Sequence, residues 1–345
     1  MAEVEKKLGR EEWLDILKCI VMYLVVIGHA SNSNSPEEYR YYIYSFHMPF
    51  FFMISGMSYY FQTRRREYGF LEMMQNKART LIWPYLTLNA LAIPIWLLNY
   101  RILSYRDESI PELIGAVFYS NQKMFSSATN ATWFILTLFL VIMSFFIFNM
   151  WAKGNEHHLT LVILVIASFG YTMTFRQEKF ATPWHLDTVS IALMLFLLGF
   201  LFVKHLDFFK GILGSKRRQL LWAVVLFPIA FCCAKYNVKI TMASNHYGSF
   251  LLFMGAVIGF GGICLIISMN LPSLRLLNFI GRNTITYLAL HAPCFRFMVV
   301  YSETTKAFKS EHPILLGTIV FFALIPVVWV IERFFPWIIG RKKKR

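Results

Sequence analysis

Apolar runs separated by short polar or basic segments recur along the whole chain, and their length decides what they become. Runs at 13–31, 42–62, 79–99, 131–151, 158–175, 188–204, 219–234, 247–269, 283–301 and 313–338 each approach the roughly 20 residues that an α-helix needs to cross about 30 Å of hydrocarbon. Lipid offers an exposed backbone no hydrogen-bond partners, so such runs fold as helices rather than loops. The pattern predicts an all-α integral membrane protein, a single bundle of about ten transmembrane helices. The membrane domain occupies 12–338, with an N-terminal tail at 1–11 and a basic tail at 339–345. No remaining stretch is long enough for a separate soluble domain. The first run does not read as a cleavable signal, because Asp15 and Lys18 interrupt its start and further spans follow.

Composition agrees with that class. Of 345 residues, 57% are hydrophobic and only 15% charged, where a soluble chain carries roughly 25% charged residues. The basic segments are the N-terminus (Lys6, Lys7, Arg10), Arg64 to Arg79, Lys204 to Arg218, Arg275 to Arg282 and the RKKKR tail. They alternate with loops rich in Ser and Asn at Ser31 to Tyr41 and Asn121 to Thr132. Positive charge stays inside, so both termini are expected in the cytoplasm of a multi-pass plasma (inner) membrane protein. The net charge of +15 follows from this topology and from attraction to anionic membrane lipids. There is no P-loop and no Rossmann glycine pattern, so neither a nucleotide-hydrolysing engine nor a nucleic-acid partner is expected. Cys19, Cys232, Cys233, Cys264 and Cys294 have no zinc-type spacing and read as packing residues, with no metal expected.

Ionisable groups inside a bilayer are costly and by default functional. The first run carries Asp15, Lys18 and His29. At about 100° per residue all three share one face, which spans about 16 Å from Lys18 to His29. That face reads as one wall of a polar channel, with a cation near one surface and an imidazole deep inside. The plainer alternative is a snorkelling Lys18, a helix-start charge at Asp15 and a His29 bonded to a neighbouring helix.

Further polar islands follow. SFHMPFFFMISG puts His47 and Pro49 at the start of the second run, either as a second buried imidazole for a site or as an interfacial histidine. Lys77, Arg79 and Tyr85 flank the third run, and Trp133 opens the fourth; each is equally a charge anchor, belt or packing residue. Arg64, Arg65, Arg66, Lys77 and Arg79 at the mouth of a polar pocket would attract phosphate. In GRNTITYLALHAP, Asn283 stands at a helix start with His291 two turns in, a second ligand contact or an ordinary cap.

The runs WLDILKCIVMYLVVIGH, SFHMPFFFMISG, RTLIWPY, WFILTLF and GRNTITYLALH, in that order, resemble the family-3 membrane acyltransferases, most of all the fucose 4-O-acetylase-like branch. The resemblance covers nearly the whole chain. It implies a helical bundle that moves an acyl group, usually acetyl from acetyl-CoA, onto a hydroxyl of a cell-surface or lipid-linked glycan. The family's basic residue and histidine fall on Lys18 and His29, with the preceding acidic residue at Asp15. An arginine pair common in the family before the third span is half present. Asn76 holds the first place and Arg79 the second, with Lys77 available to substitute.

Acyl transfer to a hydroxyl needs a base, stabilisation of the developing oxyanion and exclusion of water. His29 is the base candidate, with His47 beside it. Asp15 is about 21 Å from His29 along their common helix, so it holds Lys18 or an arginine from another helix instead. Lys18, Lys77 and Arg79 would grip donor phosphates, and Tyr85, Trp133, Asn283 and His291 would shape the substrate pocket. Direct transfer and transient acylation of His29 are both open. Two other classes compete: a transporter or flippase of a polar or anionic substrate, and a non-catalytic sensor on the same scaffold. The first usually shows paired interrupted helices in two similar halves, which this chain lacks.

Overall fold

The computed structural model describes residues 11–30, 38–103, 110–120, 130–175, 182–300, 307–309 and 311–342. Among them there is no strand beyond an isolated bridge between Thr241 and His246. The helices of the first half are α1 (Glu12–Ala30), α2 (Glu38–Tyr44), α3 (His47–Arg65), α4 (Phe70–Lys77), α5 (Trp83–Leu103), α6 (Ile110–Tyr119) and α7 (Trp133–Trp151). The second half gives α8 (Glu156–Met173), α9 (Leu186–Lys204), α10 (Leu206–Leu213), α11 (Lys216–Lys235) and α12 (Phe250–Asn270), then α13 (Arg275–Arg282), α14 (Thr284–Val300) and α15 (Pro313–Phe334). Residues 1–10 and 343–345 of the tails, and most of the two Ser- and Asn-rich loops expected outside, lie beyond the described residues.

Among the described residues, six helices are long and apolar enough to cross a membrane: α1, α7, α9 with its leading turn, α11, α12 and α15. The other four expected spans fall on α3, α5, α8 and α14. Ser55, Ser58, Gln62 and Arg64 dilute the apolar character of α3, and α14 has 17 residues. The helix faces left open on the outside are apolar, as lipid contact requires. On α11, for example, Leu220, Leu221, Trp222, Val224 and Phe227 are exposed.

Polar side chains set the ends of several helices. Asn155 accepts from the backbone N–H groups of His157 and His158 to start α8, satisfying donors that a helix leaves free. Pro49 sits in the first turn of α3, where its missing N–H costs nothing. Between α4 and α5, residues Ala78–Ile82 form a π-helical turn, a distortion common at functional sites.

The first helix is the hub, contacting α3, α12, α13, α14 and α15. Burial reflects this: Leu17, Val21, Val25, Val26 and Ala30 are fully enclosed. Two glycine-dependent contacts hold the polar elements close. A side chain at Gly281 would overlap the Asp15 carbonyl, so α13 lies directly on the acidic end of α1. Side chains at Gly56 and Gly199 would overlap backbone of the partner helix, which brings α3 and α9 into backbone contact.

Candidate active site

A cavity of about 580 Å³ opens between α1, α3, α7 and the α4–α5 junction, closed on the far side by α13, α14 and the C-terminal turn. One end of it is basic. Lys18, Lys77, Arg282 and Arg341 line it together with Gln62, Asn76 and Thr80. Carboxylates stand behind these cations rather than among them. Asp15, 3% exposed, lies 3.3 Å from Arg282 Nε and 3.9 Å from Lys18 Nζ. Glu332 accepts from Arg341 Nη1 at 2.5 Å and from Asn283 Nδ2 at 3.0 Å. Arg341 Nη2 also donates to the carbonyl of Arg282 at 2.9 Å, tying the chain's basic tail to α13.

Lys77 differs from the other three. It closes α4 ahead of the third span and donates to Gln62 Oε1 at 2.5 Å, a neutral partner. Burial, followed by the charge of Lys18, lowers its ammonium from 10.5 to about 8. An anion entering the mouth meets Lys77 as the cation with most to gain from it.

Polarity falls steadily along the cavity. On α3 the lining residues Met48, Phe51, Ser55, Ser58 and Gln62 follow a three-four spacing, which is one face of a helix. That face runs from apolar to polar over about 21 Å. On α1 the order is Lys18 then Met22, and on α14 it is Thr284, Ile285, then Leu288. Phe134 and Leu138 complete the apolar end.

Just past that end, three histidines converge from α1, α3 and α14. The rings of His29 and His291 are 5.0 Å apart. Tyr44, at the end of α2, bridges to the third: its hydroxyl is 3.4 Å from His29 Nδ1 and its ring is 4.9 Å from that of His47. Arg40 Nη2 reaches the same hydroxyl at 3.4 Å. His47 Nδ1 lies 2.7 Å from the Ile43 carbonyl and His291 Nδ1 lies 3.1 Å from that of Tyr287. A carbonyl only accepts, so each Nδ1 carries the proton and each Nε2 presents a lone pair. His291 Nε2 is buried without a hydrogen-bond partner.

The residues singled out from the sequence therefore divide. Lys18 and Lys77 line the cavity with Asp15 behind them, and His29, His47 and His291 meet beyond its apolar end. Arg79 is exposed and outside the lining; its Nε donates to Gly340 at 2.7 Å, beside Arg341. Tyr85 donates to the Val117 carbonyl at 2.5 Å. Trp133 packs on His185 and Phe52, and Asn283 spans Phe279 and Glu332. Those three lie outside the lining.

Gln62, Arg341, Tyr44 and Arg40 belong to the arrangement without having been singled out for it. The three-four stripe on α3 carried a signal for Gln62. Nothing local marked the others.

In this all-helical protein the cluster of cations and the cluster of buried histidines thus lie toward opposite ends of one cavity. The acyltransferase 3 family, described as an acyltransferase domain, matches residues 11–333. The chain belongs to that family and is an acyltransferase. No curated protein matches it, and no solved structure does.

Proposed function

We propose that this protein transfers acetyl from acetyl-CoA to a hydroxyl of a cell-surface or lipid-linked glycan, as the resemblance to the fucose 4-O-acetylase-like branch suggests. The observation that carries this reading is the graded cavity: a polyanionic head suits the Lys18, Lys77, Arg282 and Arg341 end, and a thioester suits the apolar end under the histidines. In this reading α3, α5, α8 and α14 also cross the bilayer, giving about ten spans. The basic mouth opens to the cytoplasm and both termini lie there, in the inner membrane, with anionic lipids around the basic loops.

The chemistry follows from the histidine cluster. An acceptor hydroxyl attacks the thioester carbonyl while an imidazole nitrogen of His29 takes its proton. The C–S bond then breaks, and the thiolate recovers the proton from the imidazolium. His47 and His291 hold further lone pairs at the same place, and the buried setting excludes competing water. Arginines bind the donor's phosphates bidentately while Asp15 and Glu332 keep them in place. Direct transfer requires no acyl-enzyme.

The test is mass spectrometry of surface glycans and lipid-linked sugars from cells with and without the protein. A mass gain of one acetyl that disappears in His29→Ala cells is the expected result. Unchanged glycans in the presence of a well-expressed wild-type protein would remove the glycan acceptor from this reading.

A further inference from the structure

We infer that the apolar end of the cavity is a size filter for the acyl group, in which Met48, Met22 and Leu288 set the longest chain the site accepts. The inference rests on the acyl-CoA reading above. Each of the three is the last lining residue on its helix before a histidine. Met48 directly follows His47. Leu288 precedes His291 by about 4.5 Å of helical rise, and Met22 precedes His29 by about 10 Å. All three are buried, at 8%, 5% and 1% exposure for Met48, Leu288 and Met22.

A carbonyl brought up to the histidines leaves its alkyl tail beside Met48 and Leu288, the two of these nearest a histidine along their helices, while Met22 lies further toward the mouth. The space cannot grow elsewhere. The side wall is stiff, because Phe51 stacks edge-on against Phe134 at 6.0 Å and Phe134 lies 4.6 Å from Phe52. Beyond it the His29 and His291 rings are only 5.0 Å apart. Methionine is unbranched and adaptable, so Met22 and Met48 shift enough for a short acyl group. A longer chain must displace them from a packed core, which is unfavourable. The filter therefore favours acetyl and propionyl. Alanine at Met48 removes its γ, δ and ε atoms, leaving room for about two further methylenes.

Calorimetric titration of the full-length protein in nanodiscs with CoA, acetyl-CoA, butyryl-CoA and hexanoyl-CoA tests this. Wild type should bind acetyl-CoA at least about tenfold more tightly than hexanoyl-CoA, and Met48→Ala and Leu288→Ala should each reduce that preference to about threefold or less. Free CoA, which lacks an acyl group, reports whether each variant is folded with an intact mouth. If Met48→Ala loses CoA binding, the milder Met48→Val carries the comparison. An unchanged preference in variants that still bind CoA overturns the filter, as does a wild type indifferent to chain length. Failure of wild type to bind CoA or acetyl-CoA overturns the donor reading itself, and is told apart because it precedes any variant.

Discussion

The two ends of the cavity are built largely from the same helices and meet opposite demands. At the mouth, Asp15 and Glu332 hold Lys18, Arg282 and Arg341 through ion pairs, so each cation is fixed in position. At the histidine end, among the described residues, the titratable groups acting on His29 are His291, His47, Arg40 and Lys309, all of them nitrogen groups. The rings there are oriented by backbone carbonyls and a phenol. Charge is concentrated at the mouth, where the proposed donor's phosphates would be bound. At the histidine end, where the proposed reaction would move a proton, the Ile43 and Tyr287 carbonyls fix the tautomers of His47 and His291.

The sharpest way to break this contrast is His29→Gln, which removes the proposed base and leaves the mouth intact. Acyl transfer should fall by about a thousandfold while acetyl-CoA affinity measured by calorimetry stays at the wild-type value. A matching loss of affinity would place His29 in binding and end the division.

Arg341→Ala attacks the other end. Loss of one charge-assisted contact to phosphate should raise the donor KM by about ten- to thirtyfold with little change in kcat. Steady-state kinetics at saturating acceptor separate the two constants, and a kcat defect alone would assign Arg341 to structure. Arg79→Ala should do the same only weakly, because Arg79 acts through Gly340 on the segment that carries Arg341.

Tyr44→Phe is subtler, since the hydroxyl lies 3.4 Å from His29 Nδ1 and a bond that long is weak. A fall in kcat of about threefold to tenfold, with KM unchanged, is expected if the phenol orients the imidazole. Equal kcat for wild type and Tyr44→Phe would mean that ring packing alone positions His29.

The smallest effect is a pH dependence at Lys77. With its value lowered to about 8 by burial and Lys18, the side chain is cationic below that pH and neutral above it. Acetyl-CoA affinity should therefore be full at pH 7 and weaken as pH rises through about 8 to 9. Lys77→Arg stays charged throughout, so its affinity should hold level over that window. Identical pH profiles for the two proteins would show that Lys77 does not bind the donor.

Much of this architecture is legible along the chain because hydropathy and helical spacing are local properties. The apolar runs follow from lipid's inability to satisfy a backbone, and the Asp15, Lys18 and His29 face follows from the pitch of a single helix. Neighbours within one helix are written in the sequence. What the chain does not write is which helices meet. His291 joins His29 only because α14 packs on α1, and Tyr44 reaches the same ring from α2.

Arg341 reads in sequence as one more residue of a basic tail, yet contacts between the π-helical turn, α5 and the C-terminal segment carry it back to the cavity: Arg79 to Gly340, Trp83 to Trp337 and Thr87 to Ile338. Arg79 was the converse case, a cation at a promising place whose guanidinium the fold spends on a backbone carbonyl. A charge's position in sequence determines which end of the bundle it occupies, since crossing hydrocarbon is prohibitive. Which of those charges face a ligand is decided by helix packing, because only the packed bundle determines which side chains find partners and which line the space between them.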